Sequence, residues 1–165
     1  MAGFDGILGS VKDDDLLYPH SDMRYQLGSK HFDSGNEYVY VYNDGGSSIP
    51  SGKYCVLKDI ANSLTSGYSV TVTNASMMNR MAGVAQNTIT TAQYGFVMIK
   101  GTSVVVPDSD AISGPAGRNL MLGTDGGFRL EYASLSTGPV FGFTMNSFVT
   151  VVAGGGKARI FGSCL

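Results

Sequence analysis

Alternating apolar and polar positions dominate the chain from about residue 30 onward. In the segment 68–73, Tyr-Ser-Val-Thr-Val-Thr, the alternation has the period of two that a half-buried strand requires. The segment 37–43, Glu-Tyr-Val-Tyr-Val-Tyr-Asn, is dense in aromatic and β-branched residues, which favour strands. Similar patterns predict further strands at 53–58, 80–86, 94–100, 103–106, 119–122, 128–132, 141–145, 148–152 and 158–161.

Turn signals separate these segments. Gly-containing turns are predicted at 44–46 and 50–52, hairpin turns at 101–102 and 123–127, and a loop at 107–117. Gly83 lies inside a predicted strand, which indicates a bulge or a close backbone approach. About ten or eleven short strands at intervals of roughly 8 to 12 residues are typical of a sandwich or barrel. The sequence therefore predicts an all-β fold: a single β-sandwich or barrel-like domain of short antiparallel strands.

The first 29 residues follow a different pattern, with no strand alternation and a weak helical period. Asp13, Asp14 and Asp15 lack the spacing of a calcium loop, so we interpret them as a solvated or helix-starting acidic turn. We predict an extended N-terminal arm at 1–29 that reaches a neighbour, followed by a β-rich domain at 30–165. The apolar side chains that could anchor this arm are Phe4, Ile7, Leu8, Leu16, Leu17 and Tyr18.

Composition narrows the possible partners. Charged residues make up 15% of the chain, against about 25% in an average protein, so small polar residues or another protein must cover the surface. With 11 basic and 13 acidic residues, the net charge of −2 gives no field that would attract nucleic acid or an anionic membrane. No apolar run approaches the roughly 20 residues of a membrane span, and the start lacks a signal-peptide pattern. We expect a soluble protein made in a cytoplasm, with no nucleic-acid or membrane partner.

The inventory of catalytic residues is thin. The two histidines, His20 and His31, lie outside any metal-binding motif, and we interpret them as exposed or capping residues. Cys55 is expected to be a small buried strand residue, with Cys55 and Cys164 more often reduced than paired. The glycines before Lys157 lack phosphate-loop spacing, since Ala158 stands where a hydroxyl residue belongs. We predict no catalytic centre, metal site or cofactor.

Tyr38, Tyr40 and Tyr42 form an aromatic stripe at the period of a strand. Such a stripe could stack nucleic-acid bases, but stacking platforms accompany a basic groove, and Glu37 and Asp44 flank this one. We therefore interpret the stripe as core or interface. The predicted strands also carry few of the Lys and Pro residues that protect exposed edges, which favours an oligomer or a lattice.

Two stretches carry a family resemblance. The first is 30–53, with Phe32-Asp-Ser-Gly-Asn-Glu-Tyr38 followed by a Gly-Gly turn, and the second is 83–101, which contains Gly83-Val-Ala85 and Gln93-Tyr-Gly-Phe-Val-Met-Ile-Lys-Gly101. Together they resemble small capsid decoration, or cement, proteins of tailed bacteriophages, over roughly residues 30 to 106.

This resemblance implies a virion structural protein on the outer surface of the phage head. Such proteins commonly form homotrimers that stabilise contacts between subunits of the major capsid protein, and their N-terminal segment often docks onto the capsid. Two alternatives stay open. One is a tail or fibre component, including a host-binding domain. The other is a glycan-degrading β domain, which would need two carboxylates that the sequence does not single out.

Overall fold

The protein is all-β in the part of the chain that its computed structural model describes, which is residues 13–58, 68–72, 81–108, 114–130, 140, 142–145 and 156–160. One short helix, α1 (Asp13–Leu17), precedes ten strands in these ranges. The strands are β1 (Lys30–Asp33), β2 (Asn36–Asn43), β3 (Tyr54–Leu57), β4 (Ser69–Val72), β5 (Met81–Ala85), β6 (Tyr94–Val105), β7 (Asn119–Leu122), β8 (Phe128–Leu130), β9 (Gly142–Thr144) and β10 (Gly156–Ile160). The all-β prediction is confirmed; the strand predicted at 148–152 lies outside the described residues.

Five strands pair in a closed ring, in the order β2, β4, β3, β5, β6 and back to β2. The sequence predicted antiparallel strands throughout, and one pair departs from this: β4 runs parallel to β2, with Tyr42 beside Ser69 and Asn43 beside Val70. The reason is one of parity. A ring with an odd number of strands cannot alternate direction at every step, so at least one neighbouring pair must be parallel.

A tight hairpin joins β1 to β2, and the sequence analysis did not predict it as a turn. Ser34 and Gly35 both have positive φ, 49° and 80°, as the central residues of a type I′ turn do. The hairpin sets Asp33 opposite Asn36 and Lys30 opposite Val39. β1 therefore occupies the edge of β2 that β4 occupies further along the strand.

The hairpin predicted at residues 101–102 is wrong, because β6 runs unbroken from Tyr94 to Val105. Gly101 takes a φ of +136° there, a conformation that glycine adopts without a steric cost. β6 pairs with β2 up to Lys100 and with β10 from Gly101 onward. The glycine thus marks a change of partner along one strand and not a reversal of the chain.

A second group of strands continues from the end of β6, in the order β10, β9, β7 and β8. The predicted hairpin across 123–127 is confirmed, since β7 and β8 pair antiparallel with Leu120 opposite Leu130. The prediction for Gly83 is also confirmed: a register shift separates Cys55 from Val56 where β3 pairs with β5, and a Cβ on Gly83 would lie 2.8 Å from the Met98 carbonyl oxygen.

The buried apolar side chains form three clusters, set by the faces of the strands. One fills the ring: Val39, Val41, Ile49, Cys55, Leu57, Val70, Ala82, Ala85, Ile89, Val97 and Ile99. The next joins the opposite faces of β3 and β5 to the second group of strands: Tyr54, Val56, Met81, Val84, Val105, Leu120, Leu122, Phe128, Leu130, Ala158 and Ile160. The last lies on the outer face of β2 and β6: Tyr38, Tyr40, Phe96 and Met98.

Candidate functional site

The tyrosine stripe lies on the outer face of the ring, where β2 and β6 pair. Tyr38 stands opposite Met98, Tyr40 opposite Phe96 and Tyr42 opposite Tyr94. The ring centroids of Tyr40 and Phe96 are 4.9 Å apart, and those of Tyr42 and Tyr94 are 4.7 Å apart. These cross-strand aromatic contacts are the kind that stabilise a sheet. We call this surface the aromatic face.

The segment 13–29, which we call the strap, covers this face. Leu16, Tyr25 and Leu27 pack against the cluster of Tyr38, Tyr40, Phe96 and Met98, and the Tyr25 ring centroid is 5.3 Å from that of Tyr40. Tyr38 and Tyr40 are consequently buried, while Tyr42 keeps partial exposure. A buried stripe leaves no room for nucleic-acid bases to stack on Tyr40.

Backbone hydrogen bonds fix the strap to both strands of the aromatic face, β6 and β2. His20 and Tyr94 exchange two bonds, with N···O distances of 2.8 and 2.9 Å. The Gly28 N–H donates to the Tyr40 carbonyl oxygen at 2.9 Å, and the Tyr40 N–H donates to the Ser29 carbonyl oxygen at 3.0 Å. The described part of the predicted arm is thus paired with its own domain along β2 and β6.

A polar network ties α1 to the strap, centred on Asp15. Its carboxylate accepts a hydrogen bond from the Tyr25 hydroxyl at 2.5 Å and one from the Arg24 guanidinium at 2.6 Å. The bond from Tyr25 lowers the pKa of Asp15 and outweighs the opposing effect of burial, with help from Arg24. Burial, and then the hydrogen bond to Asp15, raise the pKa of Tyr25 to about 12. The triplet starts a helix, as one alternative of the sequence analysis had it, since α1 begins at Asp13, and Asp15 has specific partners and not only solvent around it.

His20 is buried within this network, although the sequence predicted an exposed or capping residue. Its Nδ1 lies 2.9 Å from the Tyr40 hydroxyl, and its Nε2 lies 3.3 Å from an Asp15 carboxylate oxygen. Burial lowers the pKa of His20, the Arg24 charge lowers it further, and Asp15 opposes both. No local sequence signal marks this position, because the burial depends on pairing with Tyr94, which is distant along the chain.

The predicted arm anchors separate into three groups. Leu16 packs on the aromatic face. Leu17 and Tyr18 point away from it, with 52% and 65% of their surface exposed. Phe4, Ile7 and Leu8 lie outside the described residues. Other large apolar side chains that are exposed in the described ranges are Met23, Phe32, Val104 and Met145.

Two shallow clefts open on the surface of the described residues, one of them beside the strap. One, of about 280 Å³, is lined by Leu16, Leu17, Asp33, Tyr38 and Gln86. The other, of about 240 Å³, follows the β1–β2 hairpin and is lined by Phe32, Asp33, Ser34, Gly35, Asn36, Glu37 and Lys100. Glu37 is already paired with Lys30, at 2.9 Å between Nζ and Oε1. At the exposed tip of the hairpin, the Ser34 hydroxyl donates to its neighbour Asp33 at 3.0 Å.

The other residues that the sequence analysis considered for catalysis or ligand binding lie on different strands. Cys55 lies in the cluster that fills the ring, and burial raises the pKa of its thiol to about 12. His31 stands on β1, where its ring neighbours Tyr38 and Phe96 on the outer face. Lys157 lies within strand β10, so the glycines before it do not precede a phosphate-binding helix. In the described ranges, no three His, Cys, Asp or Glu side chains are grouped to hold a metal ion.

A second polar cluster, missed by the sequence analysis, fastens the β7–β8 turn to the ring. The buried Asp108 carboxylate accepts the Thr124 N–H at 2.8 Å, and Lys53 Nζ lies 3.3 Å from an Asp125 carboxylate oxygen. Burial acts to raise the pKa of Asp125, but the Gly127 N–H, Asp108 and Lys53 together hold it below its usual value. These contacts hold the turn against the ring, which is a structural role.

Among the described residues, no helix has the length and apolar content needed to cross a membrane. No protein-family model and no curated protein matches the sequence. Among solved structures, the chain is similar to the crystal structure of the head fiber gp8.5 N base in bacteriophage phi29, with 18% identity and a TM-score of 0.46. The similarity covers 78% of this chain and 98% of that one.

Proposed function

We propose that this chain is a virion structural protein of a tailed bacteriophage, acting as a capsid decoration protein that binds the outer surface of the head. The proposal rests on one observation: the two stretches that resemble that family lie side by side in the structure. The first contains β2 and the second contains the start of β6, and these strands pair from Glu37–Lys100 to Tyr42–Tyr94. The resemblance therefore covers the β2–β6 strand pair of the ring.

The surface supports a role in assembly. Leu17 and Tyr18 at the end of α1 are exposed, and Leu17 also lines the shallow cleft that includes Asp33. Burying exposed apolar side chains against a partner is favourable, by about 25 cal/mol per Å² of apolar surface. Under this proposal the partner is the major capsid protein, and a homotrimer places three such surfaces over neighbouring capsid subunits.

The stabilisation of a capsid by a bound decoration protein follows from mass action. A protein that binds only the assembled shell stabilises it by RT ln(1 + [L]/Kd) at each site, and the symmetry of the head repeats that contribution. Such a role needs a stable fold and a complementary surface, and it needs no reacting group. The three packed clusters and the two polar clusters provide that stability.

A co-sedimentation assay with expanded capsids that lack the protein tests the proposal. We expect binding that saturates at a fixed ratio to the major capsid protein, and a trimer mass in solution by light scattering. A saturating ratio that matches local threefold sites supports decoration. Binding to purified tails but not to heads would support the tail or fibre alternative, and binding to neither would refute both.

Matched variants test the docking surface. Leu17→Asp and Val104→Asp each place a charge at an apolar position that is about half exposed, at 52% and 56%, but on different elements. We expect Leu17→Asp to weaken capsid binding and Val104→Asp to leave it unchanged. Alanine at Phe4, Ile7 and Leu8 tests the first part of the predicted arm. Deleting all of 1–28 is a poor test, because it removes Leu16 and Tyr25 from the aromatic face.

A further inference from the structure

The strap carries a group whose charge can change near neutral pH, in contact with the residues that hold the strap in place. His20 is 4% exposed, and a histidine released into water titrates near pH 6.5. The groups that face it are Asp15 from α1, Arg24 and Tyr25 from the strap, Tyr40 from β2 and Tyr94 from β6.

The hydrogen bonds assign the form of the imidazole that fits this site. The Tyr40 hydroxyl oxygen accepts the Arg24 N–H at 3.3 Å, so its own proton is available to donate to His20 Nδ1, 2.9 Å away. Nδ1 is then the acceptor and Nε2 carries the hydrogen, facing the Asp15 carboxylate at 3.3 Å. The neutral ring thus accepts one hydrogen bond at Nδ1, while Nε2 makes no hydrogen bond of regular geometry and only faces the carboxylate.

Adding a proton to the ring disturbs this arrangement at Nδ1. Two donors would then face each other across 2.9 Å, and the Tyr40 hydroxyl would have to turn its hydrogen away within a fully buried site. The protonated ring would also stay desolvated close to the Arg24 guanidinium. Asp15 compensates in part, but it already serves Arg24 and Tyr25.

We propose that His20 is an acid-sensitive latch: the strap stays closed over the aromatic face while the ring is neutral, and it opens when the ring takes up a proton. Opening would uncover Tyr40 and Phe96. This proposal rests on the packing of the strap and is independent of the proposed function.

The direction of the pH dependence follows from linkage. The closed strap holds the pKa of His20 below its ordinary value, and the open strap restores it. Closing is therefore fully favoured above about pH 6.5 and is lost progressively as the pH falls through that value toward the lowered one. Asp15 has its own lowered pKa, starting from 3.8, so its contribution is lost only in more acidic solution.

Hydrogen exchange of the strap at pH 7.5 and pH 5.5, corrected for the intrinsic rate, tests the latch. We expect the protection of residues 13–29 to fall several-fold between the two pH values. His20→Gln keeps a polar side chain that does not titrate, and it should remove the response. His31→Gln is the matched control, because these are the two histidines of the chain, and it should keep the response.

A second measurement covers the case in which His20→Gln fails to fold. In Tyr40→Phe the donor facing Nδ1 is gone, so the His20 resonance in proton NMR should titrate at a higher pH than in the native chain. Unchanged strap protection between the two pH values would overturn the proposal, as would an equal loss in His20→Gln. A His20 titration that Tyr40→Phe leaves in place would also refute the assigned hydrogen bond.

Discussion

Gly101 and Asn36 meet where β6 leaves β2 for β10. The Asn36 side-chain oxygen accepts the Thr102 N–H at 2.9 Å, and a Cβ on Gly101 would lie 2.2 Å from that same oxygen. The amide of Asn36 thus takes the place that a side chain at 101 would need. One strand can serve both groups of strands because this residue has no side chain and has a φ of +136°.

Replacing Gly101 with alanine should destabilise the fold. The strained backbone alone costs about 1–3 kcal/mol, and the contact with Asn36 adds to this cost. Urea unfolding measures the change in the free energy of unfolding. Gly46→Ala is the control, since no atom lies within 4 Å of a Cβ built there, and it should stay within about 0.5 kcal/mol. Equal effects at the two glycines would contradict this account of the β6 bend.

Hydrophobic periodicity predicted most strands because it reports which face of a strand is buried, and burial of one face is a local property. The segment 37–43 matched β2 almost residue for residue, and 68–73 matched β4. Gly101 misled the same reasoning, because a glycine between two strand patterns is equally consistent with a turn and with a strand that changes partner. Pairing with β10 decides between them, and that contact is distant in sequence.

The candidate site was less predictable than the fold. The period of two predicted the tyrosine stripe, but nothing in the sequence predicted that the strap covers it. Leu16 and Tyr25 have no strand or strong helix pattern, and the backbone bonds that bring them to the aromatic face join residues distant in sequence, such as His20 and Tyr94. Asp15 likewise gains its partners from the fold of the strap.

Removing the Tyr40 hydroxyl should cost stability at neutral pH. Tyr40→Phe keeps the ring packed on Phe96 but leaves His20 Nδ1 and the Arg24 N–H without their shared partner. An unsatisfied buried polar group costs about 1–3 kcal/mol. Tyr42→Phe changes the same atom at a partly exposed position of the stripe and serves as the control. Thermal unfolding at pH 7.5 should separate the two, and a Tyr42→Phe loss as large as that of Tyr40→Phe would count against the network.

The ring interior offers a test of packing. Ile49 and Ile89 exchange backbone hydrogen bonds of 2.9 and 3.0 Å, and Ile89 packs so closely on β6 that a Cβ at Gly95 would lie 2.8 Å from it. Ile89→Ala should lose about 2–5 kcal/mol, because the cavity forms where the surrounding strands cannot collapse. Thr90→Ala, at the exposed next position, should change stability little. A small loss at Ile89 would indicate that the interior is loosely packed.

Cys55 should be chemically silent until the protein unfolds. Its side chain is fully buried within the ring, and its Sγ lies 3.5 Å from the Gly83 carbonyl oxygen. Burial raises the pKa of the thiol to about 12, so the reactive thiolate is scarce in the folded protein at pH 8. In a Cys164→Ser background, a thiol reagent should label no cysteine of the native protein within minutes and one cysteine in denaturant.

The raised pKa of Cys55 also predicts how the free energy of unfolding changes at alkaline pH. An unfolded cysteine ionises near pH 8.5, whereas folded Cys55 does not ionise until about 12. The stability that the neutral thiol contributes is present below the unfolded pKa and is lost as the pH rises through the range between the two values. Cys55→Ala should therefore flatten the decline in unfolding free energy between about pH 8.5 and 10.5, relative to the Cys164→Ser parent. Rapid labelling of native Cys55, or an alkaline decline that Cys55→Ala leaves intact, would show that the ring interior admits water.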